Sequence, residues 1–222
     1  LAAYYAKLIG VPVNKLICAS NENNVLTDFF TTGTYDKKRS FKVTTSPSMD
    51  ILVSSNLERL IFHLSGNNAA KTKQLMDNLT TTGEYTLGDV NQDILNLFAA
   101  GFATEEETAT DIKRVYDECS YVEDPHTAVA SRVYQSYAAK TGDKTPTVIA
   151  STASPYTFPR VAVSAITGKD SGNDFKAVEA LHQLSGVTIP AAVDGLDRAI
   201  VRHKTVVATV DMQKAVEEYL GL

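Results

Sequence analysis

The sequence predicts an α/β fold in which a mostly parallel sheet is flanked by helices. Three observations lead to this prediction. Short β-branched runs alternate along the chain with segments of helical periodicity, as in strand–helix–strand units. The 222 residues are 44% hydrophobic and 21% charged, which is the composition of an ordinary globular protein. The longest apolar runs have the length of a strand, so no membrane-spanning helix is expected.

Four short segments predict the strands of the sheet. Each is a strand-sized run of mostly apolar or β-branched residues, and each is followed at once by a polar residue. The segments cover residues 15–19, 41–45, 145–150 and 204–210. Four strands are few for a chain of this length, so helices are expected to make up most of the fold.

Helical periodicity accounts for most of the remaining chain. Helices are expected over residues 1–9, 25–30, 53–64, 67–78, 95–100, 104–119, 124–137, 161–166 and 174–184, and after Asp211. Thr104 and Glu107 have the spacing of a capping box. The stretch 57–120 therefore predicts a helix-rich side of the domain.

The domain organisation is expected to be simple. No shift in composition divides residues 1–222, so they are expected to form part of one domain. The first helix has no capping residue before Leu1, which is unusual for a natural helix start. From this we expect the chain to be the later portion of a longer protein whose upstream portion is not included.

Charge and cysteine content exclude several classes of protein. The formal net charge is −5 with neutral histidines, and no basic stripe is present, which argues against nucleic-acid and membrane-surface binding. Cys18 and Cys119 lie in apolar-periodic segments and are expected to be buried free thiols, as in a cytoplasmic protein. Neither the cysteines nor the four histidines have the spacing of metal ligands, so no metal site is expected.

Candidate functional residues follow from the position of loops relative to the predicted strands. Ligands of open parallel sheets bind beyond the carboxyl ends of the strands. This rule indicates the loops 20–24, 45–50 and 151–155, and also 124–127 if a short strand precedes it. Helices follow these loops, and a helix N-terminus suits an anion. No nucleophile elbow, P-loop or dinucleotide fingerprint is present, so spacing alone does not name a reaction.

Four blocks of the sequence resemble the bacterial threonine synthase family and follow the family's order. They are residues 16–30, 45–59, 124–129 and 151–155. Residues 1–7 also resemble the helix that follows the family's glycine-rich phosphate loop. The resemblance implies a pyridoxal-phosphate enzyme of fold type II. Such an enzyme converts O-phospho-L-homoserine and water into L-threonine and phosphate by β,γ-replacement.

The resemblance also implies roles for individual residues. Thr152, with Ser151 as the near alternative, would lie beside the pyridine nitrogen of the cofactor. The substrate side would be lined by Asp124, His126 and Thr127, with Asn23, Ser48 and Asp50 as weaker candidates. For His126, a local cap or side-chain hydrogen bond is as well supported as a function. For the last three residues, a capping or loop-packing role is equally expected.

The family's Schiff-base lysine lies upstream, in a Phe-Lys-Asp context that this chain lacks. Lys42 follows a phenylalanine but has no acid after it, and it stands after the phosphate-loop helix instead of before it. No catalytic residue is therefore expected in this chain, and the chain alone is expected to be inactive. Two alternatives stay open: a related fold type II lyase or phospho-lyase, and a non-catalytic interaction module derived from such an enzyme.

Overall fold

The computed structural model describes residues 1–222, which form two compact units, Leu1–Thr188 and Ile189–Leu222. The first unit contains helices α1 (Ala2–Leu8), α2 (Val25–Thr32), α3 (Leu57–Leu64), α4 (Ala69–Thr81), α5 (Gln92–Leu95), α6 (Glu105–Cys119), α7 (Pro125–Thr141), α8 (Pro159–Thr167) and α9 (Asp174–Ser185). The second unit contains α10 (Met212–Leu220) and two 3₁₀ turns. None of these helices combines the length and apolar character needed to cross a membrane.

Four strands form two small sheets in the first unit. They are β1 (Leu16–Ser20), β2 (Thr34–Asp36), β3 (Glu84–Thr86) and β4 (Phe98–Phe102). Strand β1 pairs in parallel with β4, and Ser20 lies opposite Phe102 at the carboxyl end of the pair. Strands β2 and β3 pair antiparallel. The parallel pair and the flanking helices confirm the predicted α/β class.

The main hydrophobic core lies between the parallel pair and helices α1 to α4. Phe29 of α2 and Leu60 of α3 are almost fully buried there. Tyr4 packs α1 into the same core, whereas Leu8 and Ile9 are exposed, so only some of the apolar residues at this end of the chain are covered. Burial of each large apolar side chain contributes about 1.5–3 kcal/mol, which stabilises the short helices.

Residues 41–45 do not form the predicted strand, and the side chain of Asn23 provides the reason. Its Oδ1 accepts the backbone N–H of Lys42 at 2.9 Å, and its Nδ2 donates to the carbonyl of Lys42 at 2.9 Å. A side-chain amide thus replaces the partner strand that this backbone would otherwise need. The segment stays an irregular loop that is tied to the end of β1.

Three further predictions of secondary structure are wrong. Residues 95–100 were expected to be helical, but β4 occupies most of this stretch because pairing with β1 overrides the local helix preference of Ala99 and Ala100. Residues 145–150 and 204–210 form no strand, and Val148 and Val206 are almost fully exposed. A β-branched run gives only a propensity, and neither run has a partner strand in this chain.

Most helix predictions are confirmed, with shifted ends. The helix expected over 53–64 begins at Leu57. The capping box of α6 is present: Thr104 Oγ1 accepts the N–H of Glu107, and the Glu107 carboxylate accepts the N–H of Thr104. Cys119 at the end of α6 is exposed and Cys18 is half-buried, so the expectation that both thiols are buried is wrong for Cys119 and only partly met for Cys18.

Candidate functional site

Five polar residues after the end of β1 form one hydrogen-bonded cluster, here called the asparagine network: Asn21, Asn23, Thr44, Ser46 and Asp50. The Nδ2 of Asn21 lies 2.7 Å from Asp50 Oδ1 and 2.8 Å from Thr44 Oγ1. The Nδ2 of Asn23 donates to the same Asp50 oxygen at 3.0 Å. These bonds fix the loop around Asp50 against the carboxyl end of β1.

Three residues at the start of α7 and one residue of a separate loop form a second cluster, here called the aspartate network: Asp124, His126, Thr127 and Ser151. Asp124 is buried and caps α7 by accepting the backbone N–H of His126 at 2.9 Å. Its Oδ1 also lies 3.0 Å from Nδ1 of His126, and its Oδ2 accepts the hydroxyl of Thr127. The hydroxyls of Thr127 and Ser151 are 3.0 Å apart, which connects α7 to the loop that carries Ser151.

A hydrogen bond joins the aspartate network to the turn between Ser46 and Asp50 of the asparagine network. The backbone N–H of Ser48 donates to Nε2 of His126 at 3.1 Å. The ring of Phe158 packs against the imidazole with 4.9 Å between the ring centres. The loops around Asn23, Ser48, Asp124 and Ser151 therefore lie close together, as the rule about strand ends predicts. Of the strands invoked in that argument, only β1 is present.

The site residues divide into a buried layer and an exposed rim. Asn23, Asp124 and Thr127 are buried and bonded within the protein, and Asp50 is half-buried. The exposed residues are Ser48, Ser151 and Thr152. Because a ligand can reach only exposed groups, the rim hydroxyls are available for contact. The buried groups are placed to hold the loops that carry them.

The rim carries groups of the kind that the ring of pyridoxal phosphate would need. Ser151 and Thr152 are both exposed, and a hydroxyl can make the one hydrogen bond that a pyridine nitrogen requires. No lysine Nζ takes part in either network. Lys42 contributes its backbone to the asparagine network, but its Nζ is paired with Glu22 at 2.8 Å. The two networks therefore have hydroxyls suited to the ring of the cofactor, and neither network contains a lysine ammonium.

Sequence reasoning missed three members of the asparagine network. Asn21, Thr44 and Ser46 are not among the predicted site residues, although the Asn-x-Asn spacing directly after β1 is a usable signal. Next to this network, the Lys42 ammonium bonds the carboxylate of Glu22 and holds the pKa of Glu22 below its usual range.

A buried acidic pair lies beneath the aspartate network, on the α6 side of α7. Asp111 and Glu123 are both almost fully buried, and each has one carboxylate oxygen without a hydrogen-bond partner. Arg114 Nε bonds the other oxygen of Asp111 at 2.8 Å. Burial and the negative charge of Asp111 raise the pKa of Glu123 to about 7. The positive charge of Arg114 lowers the pKa of Glu123 but does not cancel this rise.

An open groove of about 1220 Å³ runs between α6 and α8. Its basic residues are already engaged in ion pairs, such as Arg160 with Asp170 at 2.9 Å and Lys113 with Asp117 at 3.0 Å. None of the predicted site residues lines this groove. We therefore place the candidate site at the two networks. No group of three or more histidine, cysteine, aspartate or glutamate residues could hold a metal ion.

Comparison with known proteins finds relatives that are named threonine synthase or threonine synthase-like. Threonine synthase-like 1 of Homo sapiens is 39% identical over 173 residues, which cover 77% of this chain and 23% of that protein. Threonine synthase of Saccharomyces cerevisiae is 34% identical over 221 residues, which cover 90% of this chain and 42% of that protein. No protein-family model matches the chain.

Solved structures agree with the sequence matches. The yeast threonine synthase structure has a TM-score of 0.80 at 30% identity, and the match covers 99% of this chain and 45% of that one. The structure of pyridoxal-phosphate-bound threonine synthase from Brucella melitensis has a TM-score of 0.74 at 34% identity, covering 99% of this chain and 42% of that one.

The chain therefore has the fold of part of a fold type II pyridoxal-phosphate enzyme. More narrowly, it is homologous to the threonine synthases over most of its own length. It spans about a quarter of the threonine synthase-like 1 proteins and less than half of the threonine synthases that it matches.

Proposed function

We propose that residues 1–222 are the C-terminal portion of the cofactor-binding domain of a threonine synthase. The complete protein would convert O-phospho-L-homoserine and water into L-threonine and phosphate. The observation that carries this proposal is the 34% identity to yeast threonine synthase over 90% of the chain. The proposed partners are this small-molecule substrate and an upstream portion of the same protein. We propose a cytoplasmic location, because Cys18 and Cys119 are unpaired.

In this proposal, Ser151 and Thr152 hold the pyridine ring of pyridoxal phosphate. A hydroxyl beside the ring nitrogen favours a protonated ring less than a carboxylate would. When bound, the cofactor supplies an electron sink for the carbanions of a β,γ-replacement. The exposed hydroxyl of Ser48 is the rim group proposed to contact the substrate. The buried residues Asn23, Asp124 and Thr127 and the half-buried Asp50 are proposed to hold these loops in place on the substrate side.

No residue of this chain is proposed to form the imine with the cofactor. Lys42 is engaged by Glu22, and the family's lysine has a different sequence context. Each hydroxyl contributes about 0.5–1.5 kcal/mol of net binding, which is too little to retain the cofactor from dilute solution. We therefore expect the 222-residue chain to release no phosphate from O-phospho-L-homoserine.

The gene product provides the test. We expect the reading frame upstream of Leu1 to encode a glycine-rich loop and, before it, a Phe-Lys-Asp motif. The full-length protein with pyridoxal phosphate should release phosphate and threonine in equal amounts. Turnover by residues 1–222 alone, with a single lysine trapped by borohydride reduction and identified by peptide mapping, would show that the active site is misplaced.

A second candidate is a related fold type II phospho-lyase, and the third is a non-catalytic module. The observation that favours the second candidate is the 39% identity to human threonine synthase-like 1, because that name states a likeness to threonine synthase and not the same activity. Product analysis separates them. A phospho-lyase that eliminates phosphate without adding water at Cβ yields a 2-oxo acid and ammonia in place of threonine. A non-catalytic module yields no product although the full-length protein is folded.

A further inference from the structure

His126 occupies the point at which the asparagine network meets the aspartate network. Its Nδ1 lies 3.0 Å from the carboxylate of Asp124, and its Nε2 lies 3.1 Å from the backbone nitrogen of Ser48. The side chain of His126 is 14% exposed, and that of Asp124 is fully buried. Both polar atoms of the ring are therefore used inside the protein.

The two partners determine which nitrogen carries the proton. A backbone N–H can only donate, so Nε2 of His126 must present its lone pair to Ser48. The neutral ring then carries its hydrogen on Nδ1, where the Asp124 carboxylate accepts it. In the opposite tautomer, the Nε2–H of His126 would face the backbone N–H of Ser48, and no hydrogen bond could form between two donors. The partners of the ring therefore decide the assignment.

This arrangement leaves His126 without a free nitrogen for proton transfer to a ligand. A group that exchanges protons with substrate needs one nitrogen within hydrogen-bond reach of it. Here Nε2 is covered by the Ser48 turn, and Nδ1 faces a buried carboxylate. The imidazole also packs on Phe158, which restricts rotation that would expose either nitrogen.

We propose that His126 is a positioning residue that holds the Pro47–Met49 turn against the start of α7, and that it does not contact the substrate. Ser46 is fully buried and Asp50 is bonded by Asn21 and Asn23, so both ends of this turn are already anchored. The bond from Ser48 to His126 anchors its middle. The exposed Ser48 hydroxyl is thereby held at a fixed place on the rim.

The tautomer of His126 in the unmodified chain is the first test. Long-range ¹H–¹⁵N NMR distinguishes a protonated ring nitrogen from one with a lone pair. We expect Nδ1 of His126 to be protonated and Nε2 to be unprotonated at neutral pH. A protonated Nε2 in the neutral ring would overturn the proposal. This measurement needs no variant, so it stands even if substitutions at His126 prevent folding.

Amide hydrogen exchange at Ser48 is the second test. His126→Phe keeps the ring and its packing on Phe158 but removes the acceptor, so exchange at the Ser48 amide should become about tenfold faster. His126→Gln keeps an acceptor at a similar reach and should restore part of the protection. The amide of Thr44, which bonds Asp50 at 2.9 Å, should be unchanged in both variants.

A matched control is available in α9. Nδ1 of His182 bonds the carbonyl of Val187 at 2.9 Å, far from the site in sequence and without a link to either network. His182→Phe should leave the exchange rate of the Ser48 amide unaltered. Equal exchange at Ser48 in the wild type and in His126→Phe would overturn the proposal, as would an equal acceleration in His182→Phe.

The link to activity rests on the proposed function and is measured separately. In the full-length protein, His126→Phe should raise KM for O-phospho-L-homoserine more than it lowers kcat, and His126→Gln should reverse much of that change. A loss confined to kcat would assign His126 to proton transfer and overturn the positioning role. If the full-length protein has no such activity, the proposed function fails, while the tautomer and exchange results still decide the positioning role.

Discussion

Glu123 offers the sharpest test of the electrostatics beneath the site. It is 5% exposed, and its Oε2 has no hydrogen-bond partner. Its nearest negative neighbours are Asp111 on α6 and Asp124 at the start of α7. We consider Glu123→Gln, which removes the ionisable group and keeps its size. The amide can also donate a hydrogen bond to a carboxylate that lacks one.

The sign and size of the effect follow from the pKa. In the folded protein the pKa of Glu123 is raised from the usual 4.5 to about 7. Below pH 4.5, Glu123 is protonated in both the folded and the unfolded chain, so the stability that the folded state gains from the neutral carboxyl is fully present. As the pH rises from 4.5 to 7, only the unfolded chain loses the proton, and the folded state is progressively destabilised. The difference amounts to about 3 kcal/mol at about 1.4 kcal/mol per pKa unit.

Urea unfolding followed by circular dichroism at pH 5 and pH 8 measures this effect. The other titrating groups contribute equally to the free energy of unfolding of both proteins, so their contributions cancel when the variant is compared with the wild type at each pH. We expect Glu123→Gln to gain about 2.5 kcal/mol over the wild type at pH 8 relative to pH 5, because at pH 5 the unfolded chain has already begun to lose the proton. Glu118→Gln is the control, because Glu118 also bonds Arg114 but its side chain is 58% exposed. Parallel pH profiles for wild type and Glu123→Gln would refute the reasoning.

Three further predictions concern packing and the site. Gly101→Ala should destabilise the protein by about 1–3 kcal/mol, because the added Cβ would lie 3.0 Å from Val133 Cγ1. Gly88→Ala is the control, and it should be near neutral in the same urea assay because the space around Gly88 is open. Asn21→Ala should cost about 1–3 kcal/mol, since it strips hydrogen bonds from buried Ser46 and from Asp50; an unchanged midpoint would contradict the role of Asn21. In the full-length protein, Thr152→Val should lower kcat more than Glu22→Gln does, and equal effects would remove Thr152 from the site.

Local sequence patterns determined the helices well, because their signals act over a few residues. Thr104 and Glu107 cap α6 as their spacing predicts, and Asp124 caps α7. Both caps are made by side chains that bond backbone groups two or three residues away, so no distant contact is needed. The loops around Asn23, Ser48, Asp124 and Ser151 were also identified correctly as neighbours, partly through resemblance to a family with the same order of blocks.

Strands and buried charges were decided only by the tertiary structure. Residues 98–102 became β4 because β1 lies beside them, whereas residues 145–150 have a stronger β pattern and no partner. Residues 41–45 stayed a loop because Asn23 satisfies the backbone of Lys42. The tautomer of His126 depends on Ser48, which is 78 residues away in sequence, and the raised pKa of Glu123 depends on its burial and on Asp111 of the neighbouring helix. Strand pairing and desolvation are long-range interactions, and a local pattern carries no information about the partner.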